Sequence, residues 1–284
     1  VTALLAFAAN SVLCRLALKD SMMSPVDFTA VRIVTGAVVL WLILVLRGPS
    51  QASRDDGEKR DNDRDHTGWA GAVALFTYAV AFSLAYVSLA TGTGALLLFG
   101  AVQITMITWG LRYGERMDRV QAGGLVLALA GIVFLMLPGL SAPSLSGAAL
   151  MIGAGIAWGV YSLLGRHVRD PLTATRNNFI RAVPMALAVA VLGLMGSSGF
   201  RWDGSGLAYA ALSGGGASGL GYAVWYTALR GLSATQAATV QLSVPVIAAL
   251  GGVLWLAEPI TLRLGITSML ILGGIALVVR RRNG

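Results

Sequence analysis

Three carboxamides, Asn10, Gln103 and Gln241, stand inside long uncharged runs of this chain, and aromatic and hydroxyl residues accompany them at helical spacing. Tyr78 and Phe82 are four residues apart, as are Trp158 and Ser162, and Tyr222 and Tyr226, so each pair falls on one face of a helix. With Tyr161 and Ser243 these residues offer ring faces, amide dipoles and hydroxyls. That is a chemistry of holding a small solute by stacking and hydrogen bonds, not of breaking its bonds. Buried amides also glue helices together, and Trp and Tyr also settle at interfaces or pack as plain hydrophobes, so these eleven residues are candidates for solute contact.

The competing class is a membrane enzyme. Gly216, Ala217, Ser218 and Gly219 spell GxSG, the pattern around the serine of rhomboid intramembrane proteases. A nucleophilic serine needs a base within reach. The two histidines, His66 and His167, both precede Ser218, and the glycine run 214–216 explains the match as a close-packed helix. With no HExxH motif and no phosphate loop, neither a metal nor a cofactor is expected. The lone cysteine, Cys14, leaves no intrachain disulfide or cysteine metal site and reads as a small packing residue.

The elements that must position these residues are membrane spans. Of 284 residues 56% are hydrophobic and 12% charged, and the mean hydropathy is +0.74, whereas a soluble domain carries about 25% charge. Apolar runs at 1–18, 27–46, 68–89, 92–113 and 118–138, then at 145–166, 176–197, 205–229, 233–256 and 262–280, read as ten spans; each has the roughly 20 residues that cross about 30 Å of hydrocarbon. The fold class is therefore an all-α polytopic membrane protein. The run that begins at Val1 reads as a first span, slightly shortened, and not as a signal peptide, because no small-residue cleavage site leads into soluble chain. Segment 47–67, where Arg54, Lys59, Arg60 and Arg64 alternate with six acidic residues, reads as a polar loop.

Orientation follows from the basic residues, which are retained in the cytoplasm near span ends. With the N-terminus inside, fifteen of the 21 Lys and Arg fall on the cytoplasmic side, four (Arg15, Lys19, Arg201, Arg263) fall outside, and Arg32 and Arg181 lie within spans. Both termini are expected in the cytoplasm of a bacterial inner-membrane protein. The net charge of +8 belongs to these loops and not to one basic face, so lipid and a small molecule are the expected partners, with no nucleic acid. A monomer is expected.

An internal repeat orders the spans. Phe7, Asn10, Ser11 and Arg15 recur as Trp158, Tyr161, Ser162 and Arg166, Arg32 as Arg181, and Glu115 with Gly131 as Glu258 with Gly274, at offsets of 151, 149 and 143 that fall in order along the chain. The two halves, 1–138 and 145–284, hold five spans each and so lie inverted in the membrane, as in many secondary transporters.

Asn10 and Ser11 in span one, Arg32 early in span two, Gly114–Glu115 after span four, Pro245 in span nine and Ala257–Glu258–Pro259 before span ten resemble the EamA family of the drug/metabolite transporter superfamily, over essentially the whole chain. Within it the likeness is greatest to bacterial aromatic amino acid exporters. The resemblance implies outward movement of amino acids and small metabolites through a central cavity by alternating access, with a drug exporter of the same fold as the alternative. The chain departs from the family in Phe7, where Trp is common, and in Val102, opposite Pro245, where Pro is common.

Charge narrows the substrate. Spans one, three, four, six, eight and nine contain no acid, so no midplane carboxylate can alternate between a proton and an organic cation. Facilitated, gradient-driven movement of neutral or zwitterionic solutes follows. Phosphorylated solutes are disfavoured, because Lys19 and Lys59 lie outside the spans. Arg32 and Arg181, about one turn in from opposite faces, read as anchors of helix ends; a carboxylate-binding role is the alternative. Glu115 and Glu258 read as turn or capping residues and Asp170 as a loop residue. The GxxxG spacings at 110/114, 155/159 and 215/219 read as close helix packing, and Pro184 and Pro245 as kinks.

Overall fold

The computed structural model describes residues 1–21, 23–47, 68–114, 116–139, 142–165, 168, 170–195, 203–229 and 241–279. Its helices run in the order α1 (Thr2–Asp20), α2 (Pro25–Arg47), α3 (Gly68–Tyr86), α4 (Thr91–Arg112), α5 (Arg119–Met136), α6 (Leu145–Gly165) and α7 (Pro171–Met195). Then α8 (Gly204–Ala211) passes through a π-helical stretch, Leu212–Leu220, into α9 (Gly221–Leu229), followed by α10 (Ser243–Leu256) and α11 (Leu262–Val279). No strand occurs among the described residues. Among the described residues seven helices, α1 to α6 and α11, are long and apolar enough to cross a membrane. Large apolar side chains stand outermost, among them Trp41, Trp69, Leu145, Leu254, Trp255 and Met269, as suits a surface whose solvent is hydrocarbon.

Helix ends follow local chemistry. Asp118 and Gln121 form a reciprocal capping box at the start of α5. Asp170 is a cap: its carboxylate accepts from the Thr173 N–H (3.3 Å) and hydroxyl (2.6 Å), and Pro171 supplies the first residue of α7, where a missing N–H costs nothing. That is why α7 begins ahead of the expected residue 176, with Asp170 in the connection before it serving as its cap. Gly114 ends α4 at φ +96° with nothing near it, so 110/114 is a helix stop and not a packing motif. The other two GxxxG pairs do pack: a Cβ on Gly155 would meet Ala101 and the Leu98 carbonyl of α4 at 2.6 Å, and Gly215 and Gly219 lie against Val39 of α2.

The helices that carry the site pack in a ring of contacts. α3 lies on α6 and α7, α4 on α6 and α10, α2 on α7 and the π stretch, and α1 on α8, the π stretch, α9 and α10. α5 and α11 pair with each other beside this ring and meet it mainly through α4. Gly124 and Gly274 make that pairing possible, since a Cβ on either would sit 2.5 Å from the other's carbonyl.

One end of the bundle is cross-tied. Arg15 near the end of α1 donates through Nη1 to the carbonyls of Tyr86 (2.7 Å) and Val87 (3.0 Å), and its Nε pairs with Glu258 Oε1 at 3.3 Å. The other Glu258 oxygen accepts the Thr91 N–H at 2.7 Å, satisfying an orphan donor in the first turn of α4. Lys19 donates to the Leu256 carbonyl (3.0 Å), and the Ser88 and Ser144 hydroxyls join the turns before α4 and α6 at 2.6 Å. Glu258 is thus the capping residue the sequence implied, though it caps a helix in the other half; Glu115 lies outside the described residues.

Candidate functional site

Midway along the helices a cleft is lined by Phe7, Asn10, Ser11, Tyr78, Phe82, Leu98, Phe99, Trp158, Ala217, Ser218 and Tyr222. These come from α1, α3, α4, α6, the π stretch and α9. Phe7, Asn10 and Ser11 reach one face because they are three and four residues apart, and Ser218 and Tyr222 likewise. The space open to a water-sized body is about 20 Å³. That admits one or two waters and no organic solute, so the walls must part for one to enter.

Trp158 is the centre of the aromatic wall. Its ring centroid lies 4.8 Å from that of Tyr78 and 5.4 Å from that of Tyr161, and it stacks on Tyr222 at 5.3 Å. Phe7 meets Tyr222 edge-on at 5.9 Å, and Phe82 lies 5.4 Å from Tyr78. Offset and edge-on contacts of this kind hold the rings in place.

A polar chain runs through the wall. Ser213 donates to Asn10 Oδ1, Asn10 Nδ2 donates to the Tyr78 hydroxyl at 3.3 Å, and Arg32 Nη2 donates to the same hydroxyl at 2.9 Å. Arg32 Nε reaches Ser218 Oγ at 3.4 Å. The guanidinium carbon lies 5.1 Å from the Tyr78 ring centroid and 4.9 Å from that of Phe82. Arg32 is 2% exposed, and its Nη1 is buried with no hydrogen-bond partner. No carboxylate joins this cluster among the described residues: the buried Asp27 is engaged with Ser24 at the start of α2 (2.9 Å).

Of the eleven expected residues, Asn10, Tyr78, Phe82, Trp158 and Tyr222 line the cleft. Tyr161 is buried behind Trp158, and the Ser162 hydroxyl turns back onto the Trp158 carbonyl at 2.8 Å. Gln103 is buried one turn beyond Phe99, while Gln241 and Ser243 are half-buried at the start of α10; none of the three reaches the cleft. The side chain of Tyr226 lies outside the described residues. Arg32, read as an anchor of a helix end with carboxylate binding as the alternative, lies against the cleft walls. Arg181 fits that reading better: half-buried, it donates to the Gly68 carbonyl at 3.4 Å. Ser218, weighed as a protease nucleophile and read instead as part of a close-packed glycine helix, lines the cleft. The signal for Arg32 was its position: a cation inside a span is a functional hypothesis by default.

The π stretch explains Ser218. With Gly214 lacking a Cβ, the backbone closes onto the Arg32 carbonyl of α2, and the widened turn brings Ser213 to Asn10 and Ser218 to Arg32. Such segments recur at functional sites. The protease reading finds no base here. The neighbour of Ser218 Oγ is a guanidinium, which donates and cannot accept a proton. His66 and His167 lie outside the described residues, and no cluster that could hold a metal occurs among those described.

Comparison with known proteins places this architecture. Residues 1–137 and 145–280 match the EamA-like transporter family. An uncharacterized protein of Pseudomonas aeruginosa is 54% identical over 100% of this chain and 94% of its own length. The threonine/homoserine exporter RhtA of Salmonella typhimurium is 34% identical over 48% of this chain and 46% of its own. A protein known from a crystal structure shares the fold with a TM-score of 0.64 at 20% identity, over 98% of this chain and 96% of that one.

Proposed function

This chain belongs to the EamA-like transporter family, and we propose that it carries neutral amino acids, aromatic ones foremost, and related zwitterionic metabolites out of the cell by alternating access at the cleft around Trp158. The observation that carries this reading is the cleft itself: aromatic faces, an amide and hydroxyls from both halves of the chain converge on one mid-bundle point. The exporter named for threonine and homoserine, similar over about half the chain, supports an amino acid substrate.

Two inverted five-helix repeats, 1–138 and 145–284, fit the packing. α3 lies on α6 as α9 and the π stretch lie on α1; α4 lies on α6 as α10 lies on α1; α2–α7, α4–α10 and α5–α11 are self-paired. An inverted repeat offers two states related by exchanging the roles of the halves, which is what alternating access requires. The cross-tied end around Arg15 and Glu258 then closes one side while the cleft stays collapsed. The basic-residue bias puts that end outside, with both termini in the cytoplasm of a bacterial inner membrane, and the protein acts as a monomer.

The test is flux of labelled phenylalanine, tyrosine, tryptophan, threonine and homoserine into proteoliposomes. Saturable flux without an imposed ion gradient is expected, reduced by Trp158→Ala and Asn10→Ala. No flux from folded protein for any of the five would overturn the amino acid reading. Flux that needs a pH gradient would overturn the facilitated mechanism, which rests on the absence of an acid among the lining residues.

A further inference from the structure

Arg32 is a fully buried cation with no anion beside it among the described residues, and one of its nitrogens is unsatisfied. Burying an unpaired charge is costly, and ring faces recover only part of that cost. Three of the side chains it touches, Tyr78, Phe82 and Ser218, are themselves walls of the cleft. A guest in the cleft is thus one side chain away from a guanidinium that lacks an acceptor.

We propose that Arg32 is the carboxylate receptor of this carrier: the carboxylate of the transported amino acid takes the open Nη1 and displaces the Tyr78 hydroxyl from Nη2, with Ser218 still holding Nε. The proposal rests on the carrier reading above and names the chemistry of its substrate. Guanidinium and carboxylate are both planar, and two parallel N–H···O bonds fix the guest's orientation as well as its charge. Tyr78, freed from Arg32, remains bonded to Asn10 Nδ2, so the displaced group keeps a partner. The ammonium end of the guest then faces the rings of Trp158 and Tyr222, whose π faces attract a cation. A single guanidinium matches a monoanion and leaves a phosphate dianion half neutralised. Organic cations without a carboxylate meet a like charge and are rejected, which separates an amino acid carrier from an exporter of cationic drugs.

The experiment compares phenylalanine with phenylalaninamide, which keeps the ring and ammonium and loses the carboxylate, and with 3-phenylpropionate, which keeps ring and carboxylate and loses the ammonium. Each competes against labelled phenylalanine flux in proteoliposomes of the wild type, so the first result needs no variant. The amide is expected to compete at least tenfold more weakly than phenylalanine, and 3-phenylpropionate more strongly than the amide. In Arg32→Gln the acid–amide difference should shrink to about twofold, and in Ser218→Ala, which leaves the cation in place, it should shrink only in part. Melting of the detergent-purified proteins shows that each variant is folded. Equal competition by acid and amide in the wild type, or an undiminished preference in folded Arg32→Gln, overturns the receptor while leaving the carrier intact. Absence of flux in the wild type for phenylalanine and the other four labelled amino acids alike overturns both.

Discussion

Arg15 and Arg32 sit on neighbouring helices of one bundle, and they have opposite surroundings. Arg15 has a carboxylate, two carbonyls and a half-buried place at a helix end. Arg32 has two hydroxyls, two rings, an empty donor and, among the described residues, no carboxylate. Arg263 resembles Arg15, donating to the carbonyl of Pro138, as does Arg181 on Gly68. The difference teaches how to tell a staple from a receptor: a cation held by the protein's own carboxylate or carbonyls at a helix end ties the fold together, while one buried with an open donor is arranged for something that arrives later.

The comparison can be broken by stability measurements. Glu258→Ala strips Arg15 of its anion and the Thr91 N–H of its acceptor, and the expected loss is about 1–3 kcal/mol, read as a lower melting temperature in detergent. Arg32→Met should change stability far less, or raise it, because it removes an uncompensated buried charge, while flux falls at least tenfold. If Arg32→Met melted as low as Glu258→Ala, Arg32 would be a staple as well and the contrast would fail.

Trp158 sharpens the contrast from the uncharged side. Trp158→Phe keeps a ring between Tyr78 and Tyr222 and should cost flux only a few-fold, whereas Trp158→Ala removes the surface on which the rings stack and should cost roughly tenfold. Equal loss in both would mean that the indole N–H, not its face, matters.

The smallest effect lies at the start of α8. The Ser205 hydroxyl and then the Gly206 N–H hold the half-buried Asp203 carboxyl below its ordinary range. A depressed value stabilises the fold above the unfolded-state value, and that contribution is lost as pH falls through the folded-state value. Asp203→Ala should therefore lower the melting temperature slightly at neutral pH, with no difference from wild type at a pH where both states are protonated. A gap that persisted in acid would point to packing lost at Gly206 rather than to the cap.

Span positions were legible because a long uncharged run is too apolar for a loop and too long for a buried core helix; the limits of α1, α4, α6 and α11 fall within two or three residues of those expected. Asn10, Tyr78, Trp158 and Tyr222 were legible as polar or aromatic groups standing inside apolar runs. Gln103, Gln241 and Ser243 looked alike in sequence but lie away from the cleft. A helix apolar on all sides has no periodic stripe, so spacing cannot say which way a lone amide turns. The π stretch was hidden for a related reason: Gly214–Gly216 reads as tight packing, which is true, without revealing that the backbone widens there. Arg32 is misread when depth alone is weighed. What surrounds it comes from α3 and the π stretch, dozens to hundreds of residues away, and only their packing decides whether a carboxylate is near.

The cleft's small size has a consequence for affinity. With room for one or two waters, this arrangement cannot be the one that binds solute. Binding therefore needs an opened arrangement, and where only a fraction of molecules is open the measured dissociation constant is the intrinsic one divided by that fraction. If open molecules were about 1% of the total, a site with intrinsic micromolar affinity would look roughly hundredfold weaker. Weak apparent binding would then be a property of the closed walls and not of the contacts, and a substitution that thins the aromatic wall could tighten apparent binding even as it removes a contact surface.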